Sequence, residues 1–300
     1  MKVLVAGHRG QLGRDCYSVL GSAHDLQGAD LPEMNLLEPG RAHAWILESQ
    51  ADVVVNCAAY TRVDDAERPG ERELCRRLNA ELPGILAAAC RETGAHLIHI
   101  STDYVFDGLR QPPKPYVESD ATGPLSWYGQ TKLEGEEAVR RAEGAWTILR
   151  TAWLYGAHGR NFPRAILSRA ARHPDRPLRV VQDQYGSPTW SRRLALQIQT
   201  VAEAGPAGLC HATSEGWCTW FDFARALLEE AGLPNEIVPC ATADYPTLAR
   251  RPANSILENA ALNRVGLNRW VDWRADVSEF MRMHGADIIR EERMRPMENS

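Results

Sequence analysis

Three hundred residues, 44% hydrophobic and 24% charged, give a globular chain long enough for one large domain or two small ones. A net charge of −5, with no basic stripe interleaved with aromatics, offers nothing to hold a nucleic-acid backbone. No apolar run approaches a membrane span, the start lacks a signal peptide's pattern, and seven cysteines without a C-x-x-C pair argue against a disulfide framework, so a cytoplasmic chain with reduced thiols is expected.

Lys2 to Ala6 is a short apolar run ending in Gly7-His8-Arg9-Gly10-Gln11-Leu12-Gly13, followed by a helical pattern through Leu20. Strand, glycine-rich turn and helix are the context a dinucleotide fingerprint requires, here spaced G-x-x-G-x-x-G. Gly7, Gly10 and Gly13 let the backbone approach a pyrophosphate, and the helix N-terminus supplies free N–H groups and a favourable dipole. A second strand ending near Leu26 to Ala29 puts Asp30 at its carboxyl end, where an acid binds the adenosine ribose hydroxyls. The competing reading of Asp30 is a turn residue before Leu31-Pro32. Arg9 in the turn could accept a 2′-phosphate, so NADH and NADPH both stay open.

A helix over about 40–49 leads into Val53-Val54-Val55-Asn56-Cys57-Ala58-Ala59, an apolar run of parallel-strand character. Its small end, Ala58 and Ala59, admits a cofactor or simply packs closely. Asp64, Asp65 and Glu67 suggest a metal cluster at first sight but read better as a solvated helix start, where acids are favoured. A long helix over about 72–93 precedes the strand His96 to Ile100, which runs into Ser101-Thr102-Asp103-Tyr104. A Thr102 hydroxyl at a strand's carboxyl end can polarise a substrate carbonyl.

The next element is Ser126-Trp127-Tyr128-Gly129-Gln130-Thr131-Lys132. On a helix, Tyr128 and Lys132 share one face, and an ammonium beside a phenol lowers the phenol's pKa toward neutrality. Such a phenol can protonate a developing alkoxide, which is the chemistry of carbonyl reduction. Lys132 is one of three lysines among 34 basic residues, and with eight tyrosines a chance Tyr-x-x-x-Lys is expected about 0.08 times. Trp146 to Thr151 is the following strand, with Trp153 and Tyr155 beyond its end.

Five strands alternating with helices argue an α/β fold, a Rossmann-like doubly wound parallel sheet over residues 1–152 that also receives elements from about 176–212. Residues 153–175 and 213–290 read as a smaller, mostly C-terminal substrate-binding cap, and 291–300 as a frayed tail.

These motifs, with Asn56 to Asp64, Ser101 to Gly108, Tyr128 to Glu136, Arg150-Thr151-Ala152-Trp153, Asp183 to Thr189 and Arg251-Pro252-Ala253-Asn254-Ser255, resemble the extended short-chain dehydrogenase/reductase family over nearly the whole chain. Within it, the resemblance is to reductases of 4-keto deoxysugar nucleotides. It implies hydride transfer from NADPH or NADH to C4 of dTDP-4-dehydro-β-L-rhamnose, a small nucleotide sugar, giving dTDP-β-L-rhamnose. It implies Tyr128 as the acid at the C4 oxygen, Thr102 as the orienting hydroxyl, and Lys132 on the nicotinamide ribose. Gly10, Gln11 and Leu12 would lie on the pyrophosphate, Asp30 on the adenosine ribose, Asn35 and Leu36 near the adenine, and Ala59, Tyr60 and Thr61 along the cofactor. Asp103 and Trp153 would line the sugar pocket, with Arg251 on the nucleotide diphosphate.

Two departures stand out. Asn35 occupies a position where the family often carries an acid. Mg²⁺ is associated with the family at a contact within a homodimer, but no carboxylate set for it is readable here and hydride transfer needs no metal. A dehydratase of the same family would need an Asp-Glu pair after Thr102, whereas Tyr104 follows Asp103. An epimerase that keeps NAD bound, another deoxysugar 4-ketoreductase, and a non-catalytic regulatory subunit like that of methionine adenosyltransferase stay open.

Overall fold

In the computed structural model, which describes residues 1–294, the first half of the chain lays down strands β1 (Lys2–Ala6), β2 (Asp25–Ala29), β3 (Val53–Asn56), β4 (His96–Thr102) and β5 (Trp146–Thr151). Between them run helices α1 (Gln11–Leu20), α2 (Arg41–Ser49), α3 (Pro69–Arg76), α4 (Leu82–Thr93) and α5 (Trp127–Arg141). The second half adds β6 (Leu154–Tyr155), α6 (Phe162–Arg172), β7 (Leu178–Val181), β8 (Tyr185–Gly186), β9 (Thr189–Trp190), α7 (Ser191–Ala204) and β10 (Gly208–His211). It closes with β11 (Cys218–Thr219), α8 (Trp220–Ala231), β12 (Ile237–Cys240), α9 (Ala260–Arg264), α10 (Trp273–Phe280) and α11 (Ala286–Met294).

Six strands form one parallel sheet in the order β10-β5-β4-β3-β1-β2. The period of two along β1 divides its side chains between two cores. Val3 and Val5 join Cys16 and Leu20 of α1 and Leu194 and Ile198 of α7 on one face. Leu4 joins Trp45 and Ile46 of α2 and Leu82 and Leu86 of α4 on the other. A strand covered on both faces must be apolar throughout, as Val53-Val54-Val55 is. Strands are added in opposite directions on either side of β1, and ligands of open α/β sheets sit at the strand carboxyl ends beside such a switch point.

Of the stretch over about 176–212, α7 and β10 join this sheet, but β7 pairs in parallel with β12 instead. Two further short pairs, β6 with β9 and β8 with β11, flank a third core of Tyr155, Leu167, Trp190, Phe223, Trp273 and Phe280.

Two expectations need correction. The helix over about 72–93 is not one α-helix: a π-helical turn, Arg77–Glu81, separates α3 from α4. Pro83 has no N–H to return to the Asn79 carbonyl, and the widened turn accommodates the missing bond. The tail was expected to fray from 291, yet residues 291–294 end α11, with Glu292 buried and accepting from Arg164 Nη1 (3.2 Å) and Arg172 Nη2 (3.5 Å). The rest of the expected tail, 295–300, lies outside the described residues. Among the described residues no helix is long and apolar enough to cross a membrane.

Candidate active site

The crevice at the β1 switch point is drawn tight. The Gly7 N–H donates to the Ala29 carbonyl (2.8 Å) and the Cys57 N–H to the Ala6 carbonyl (3.0 Å), joining the ends of β1, β2 and β3. Gly7 has φ of +75°, and a Cβ on it would stand 2.7 Å from the Ala58 nitrogen; a Cβ on Gly13 would collide with the Gly7 carbonyl oxygen. Only glycine fits either place. The first turn of α1, which includes Gln11 and Leu12, has neither a side-chain cap from Gly10 nor an acid, so its outward N–H groups and dipole face the crevice uncompensated. These features fit the pyrophosphate of a dinucleotide.

Asp30 stands at the end of β2, its two oxygens accepting the Arg9 N–H (3.0 Å) and the Leu31 N–H (2.8 Å). Each oxygen keeps a lone pair for a ribose hydroxyl. The Arg9 guanidinium is paired with Glu33, both half-exposed. Asn35 accepts the Leu37 N–H (3.0 Å). Ala58 and Ala59 are half-buried, and Thr61 is exposed. Two expected cofactor residues turn their side chains away: Leu36 is buried in the core under α2 and α4, and Tyr60 is buried with its hydroxyl donating to Glu71 Oε2 (2.8 Å). Burial first, and Glu71 second, push the Tyr60 phenol up to about 12. Sequence spacing orders such positions along the chain but does not say which way each side chain points.

The candidate reaction centre is built on α5. Ser126 caps it, accepting the Gly129 N–H (3.2 Å), and Glu67 accepts the Trp127 N–H (2.8 Å), so one of the acids expected at a helix start serves the start of a different helix. Cβ atoms at Gly129 and Gly135 would collide with the carbonyl oxygens of Tyr104 and Asn79, which sets how closely α5 packs on the end of β4 and on the π-helical turn. Asn79 was not singled out by sequence. Its amide accepts the Tyr60 N–H (2.8 Å) and donates to the Tyr60 carbonyl (3.1 Å) and to Thr131 Oγ1 (3.3 Å), tying the strand-β3 loop to α5.

Thr102, Asp103, Tyr128 and Lys132 come together. The Tyr128 phenol lies beside the Thr102 hydroxyl, and its ring meets Tyr104 edge-on at 5.6 Å. Thr102 Oγ1 donates to Asp103 Oδ1 (3.0 Å) and accepts the Tyr104 N–H (3.2 Å). Lys132 is 2% exposed and its Nζ donates to the Ile100 carbonyl (2.6 Å). Burial pushes Lys132 down to about 8 and Asp103 up to about 6, the latter against the hydrogen bond from Thr102. The expected lowering of Tyr128 does not appear: desolvation drives the phenol well above its ordinary value, against the Thr102 hydroxyl beside it. The Lys132 ammonium gives one of its three donors to the Ile100 carbonyl.

The second half of the chain contributes two more expected residues. Trp153 follows β5 with φ of 46°, a conformation that costs a bulky residue about 1–3 kcal/mol. It stacks on Trp220 at 3.5 Å with a 6° tilt, over Gly186, where any Cβ would strike the indole. Arg251 reaches back across the chain to Asp64, Nη2 to Oδ2 at 2.8 Å and Nη1 to Oδ1 at 3.3 Å, and its guanidinium lies close to Tyr104. Burial would raise the Asp64 carboxyl, but the Arg251 guanidinium and the Ala249 N–H outweigh it and hold the group below its ordinary value. Among the described residues no group of three or more His, Cys, Asp or Glu could hold a metal ion.

Comparison with known proteins adds to this geometry. Residues 1–285 match the model of the RmlD substrate binding domain family. The chain is 38% identical over 292 residues to dTDP-4-dehydrorhamnose reductase of Burkholderia thailandensis, covering 91% of this chain and 96% of that protein. It is 39% identical over 283 residues to a probable dTDP-4,6-dihydroxy-2-methyloxan-3-one 4-ketoreductase of Streptomyces antibioticus, covering 93% and 94%. The crystal structure of dTDP-4-dehydrorhamnose reductase from Bacillus anthracis in complex with NADP superposes with a TM-score of 0.89 at 31% identity, over 94% of this chain and 99% of that one.

Proposed function

The chain belongs to the RmlD substrate binding domain family, and from that premise we propose that it reduces the C4 ketone of dTDP-4-dehydro-β-L-rhamnose to dTDP-β-L-rhamnose with NADPH or NADH. The observation that carries the reading is the Tyr128–Thr102 pair at the carboxyl edge of the sheet, with Lys132 one turn along the same helix. When bound, the dihydronicotinamide supplies the hydride.

The chain's own residues do the rest. A phenol raised by burial keeps its proton at neutral pH, so Tyr128 is in the acid form that a C4 alkoxide needs. Thr102 orients the C4 oxygen beside it, and the Lys132 ammonium holds the nicotinamide ribose and steadies the phenolate that Tyr128 leaves behind. Gly7, Gly10 and Gly13 with the first N–H groups of α1, including those of Gln11 and Leu12, take the pyrophosphate. Asp30 takes the adenosine ribose; Asn35 and the backbone over 58–61 lie along the cofactor. Asp103 and Trp153 line the sugar side, and Arg251 meets the diphosphate. On this reading the cofactor half is residues 1–152 with 191–211, and the remainder to 290 holds the sugar nucleotide.

The 39% identity to a 4-ketoreductase of a different sugar favours one second reading, a reductase of another dTDP-4-keto-deoxysugar. Purified chain, mixed with NADPH or NADH and dTDP-4-dehydro-β-L-rhamnose, should consume the cofactor's absorbance and yield dTDP-β-L-rhamnose. Turnover only with a different 4-keto sugar would favour the second reading. Tight cofactor binding without turnover of any would sink both.

A further inference from the structure

Glu136 lies one turn beyond Lys132 and two beyond Tyr128 on the same face of α5, and the proposed reaction gives it no role. It is fully buried, which an acid tolerates only when paired. Arg150 of β5, itself buried, donates through Nε to Oε1 (2.8 Å) and through Nη2 to Oε2 (2.7 Å), a bidentate contact. Ser101 of β4 donates to Oε1 (2.6 Å), and Arg140 reaches Oε2 at 3.3 Å. Ser101 and Arg150 immediately precede Thr102 and Thr151, the last residues of β4 and β5. One carboxylate thus pins the catalytic helix to both strands directly beneath the reaction centre.

Packing alone is a poor reason to keep such a pair, since apolar replacements of buried ion pairs are often neutral or stabilising. Lys132 supplies a better one. Its ammonium is buried with a single carbonyl acceptor, and the ionisable groups facing it are Glu136 and Tyr128 on α5, Cys75 on α3, Cys57 beyond β3 and His99 on β4. Only one of these is a carboxylate. We propose that Glu136 is a positioning residue for Lys132: clamped by Arg150 and Ser101, its carboxylate keeps the lysine charged and in place one turn below Tyr128. The role rests on the proposed reduction only in so far as Lys132 serves Tyr128.

The sign is definite. Burial drives Lys132 toward the neutral amine and Glu136 opposes it. Without the carboxylate, the lysine loses its proton at lower pH, and at neutral pH the ammonium is depleted.

Three lysines in the chain, Lys2, Lys114 and Lys132, make the test direct. In full-length protein labelled with ¹³C-lysine, the Lys132 side-chain resonance is the one that vanishes in Lys132→Met. In Glu136→Gln its titration midpoint should fall by about one pH unit, with Lys2 and Lys114 unmoved. Glu136→Gln leaves Arg150 buried without a partner; should that variant not fold, Glu136→Gln with Arg150→Met leaves no unpaired charge and should shift the midpoint in the same direction. A purely structural Glu136 would lower the melting temperature and leave the midpoint where it is, and that result in the folded variant overturns the proposal. Failure of the wild-type chain to reduce any sugar nucleotide would contradict the proposed reduction but leave this titration readable.

Discussion

Tyr128 shows how far an environment can depart from what spacing suggests. A lysine four residues on reads as a device for lowering a phenol's pKa, yet full burial raises it and Lys132 is turned to the Ile100 carbonyl. For a reductase that is the useful direction, because the acid must hold its proton until the alkoxide forms. Replacing Tyr128 with Phe should cut kcat by about 10²–10⁴ while leaving the cofactor dissociation constant nearly unchanged; near-normal turnover would remove Tyr128 from the chemistry. Asp103 gives a second prediction at this scale. Its carboxyl, ordinarily near 3.8, is raised to about 6 by burial. Its contribution to stability is therefore fully present below pH 3.8 and lost as pH rises through 6, about 3 kcal/mol in all. Asp103→Asn should stabilise the protein more at pH 8 than at pH 5, read as the difference in melting temperature from wild type. An equal effect at both pH values would mean that the carboxyl is not raised.

At the scale of elements, the closest packing is made by glycines. The Cβ of a Gly135→Ala variant would strike the Asn79 carbonyl oxygen, a backbone atom that cannot swing aside. Helix α5 would have to lift off the π-helical turn, at a cost of about 1–3 kcal/mol of stability. Because that helix carries Tyr128 and Lys132, kcat should fall with the melting temperature; a stable, fully active variant would show that the placement of α5 is not critical. The glycine-rich turn, the parallel run of β3 and the Tyr128–Lys132 spacing were legible from sequence because each is a local pattern with a local physical cause. The π-helical turn was not. It hides inside a good helical period, and its cause is a missing N–H at Pro83. Nor could periodicity reveal that β7 pairs with β12, since a strand's partner is set by topology rather than by its own alternation. The inward turn of Leu36 and Tyr60 was lost for a similar reason: neighbours far along the chain decide it.

Across the whole molecule, Asp64 and Arg251 join the two halves through one ion pair between residues 187 apart. Sequence reading assigned one to a solvated helix start and the other to a diphosphate, and nothing local connects them. The pair places a guanidinium beside Tyr104, whose ring touches that of Tyr128, so the charge proposed for the diphosphate stands next to the proposed acid. A charge-assisted hydrogen bond contributes about 1.5–3 kcal/mol, so Arg251→Ala should raise KM for the sugar nucleotide by about 10–100-fold with kcat less affected. A drop in kcat at unchanged KM would move Arg251 from binding into the chemical step. In the proposed reaction a hydride passes from a nicotinamide held at the glycine-rich turn to the sugar carbon opposite Tyr128. Purified chain incubated with dTDP-4-dehydro-β-L-rhamnose and NADPH deuterated on its transferring face tests this most directly, by NMR of the product. Deuterium at C4 of dTDP-β-L-rhamnose is the predicted result; product without deuterium at C4, or no product at all, would contradict it.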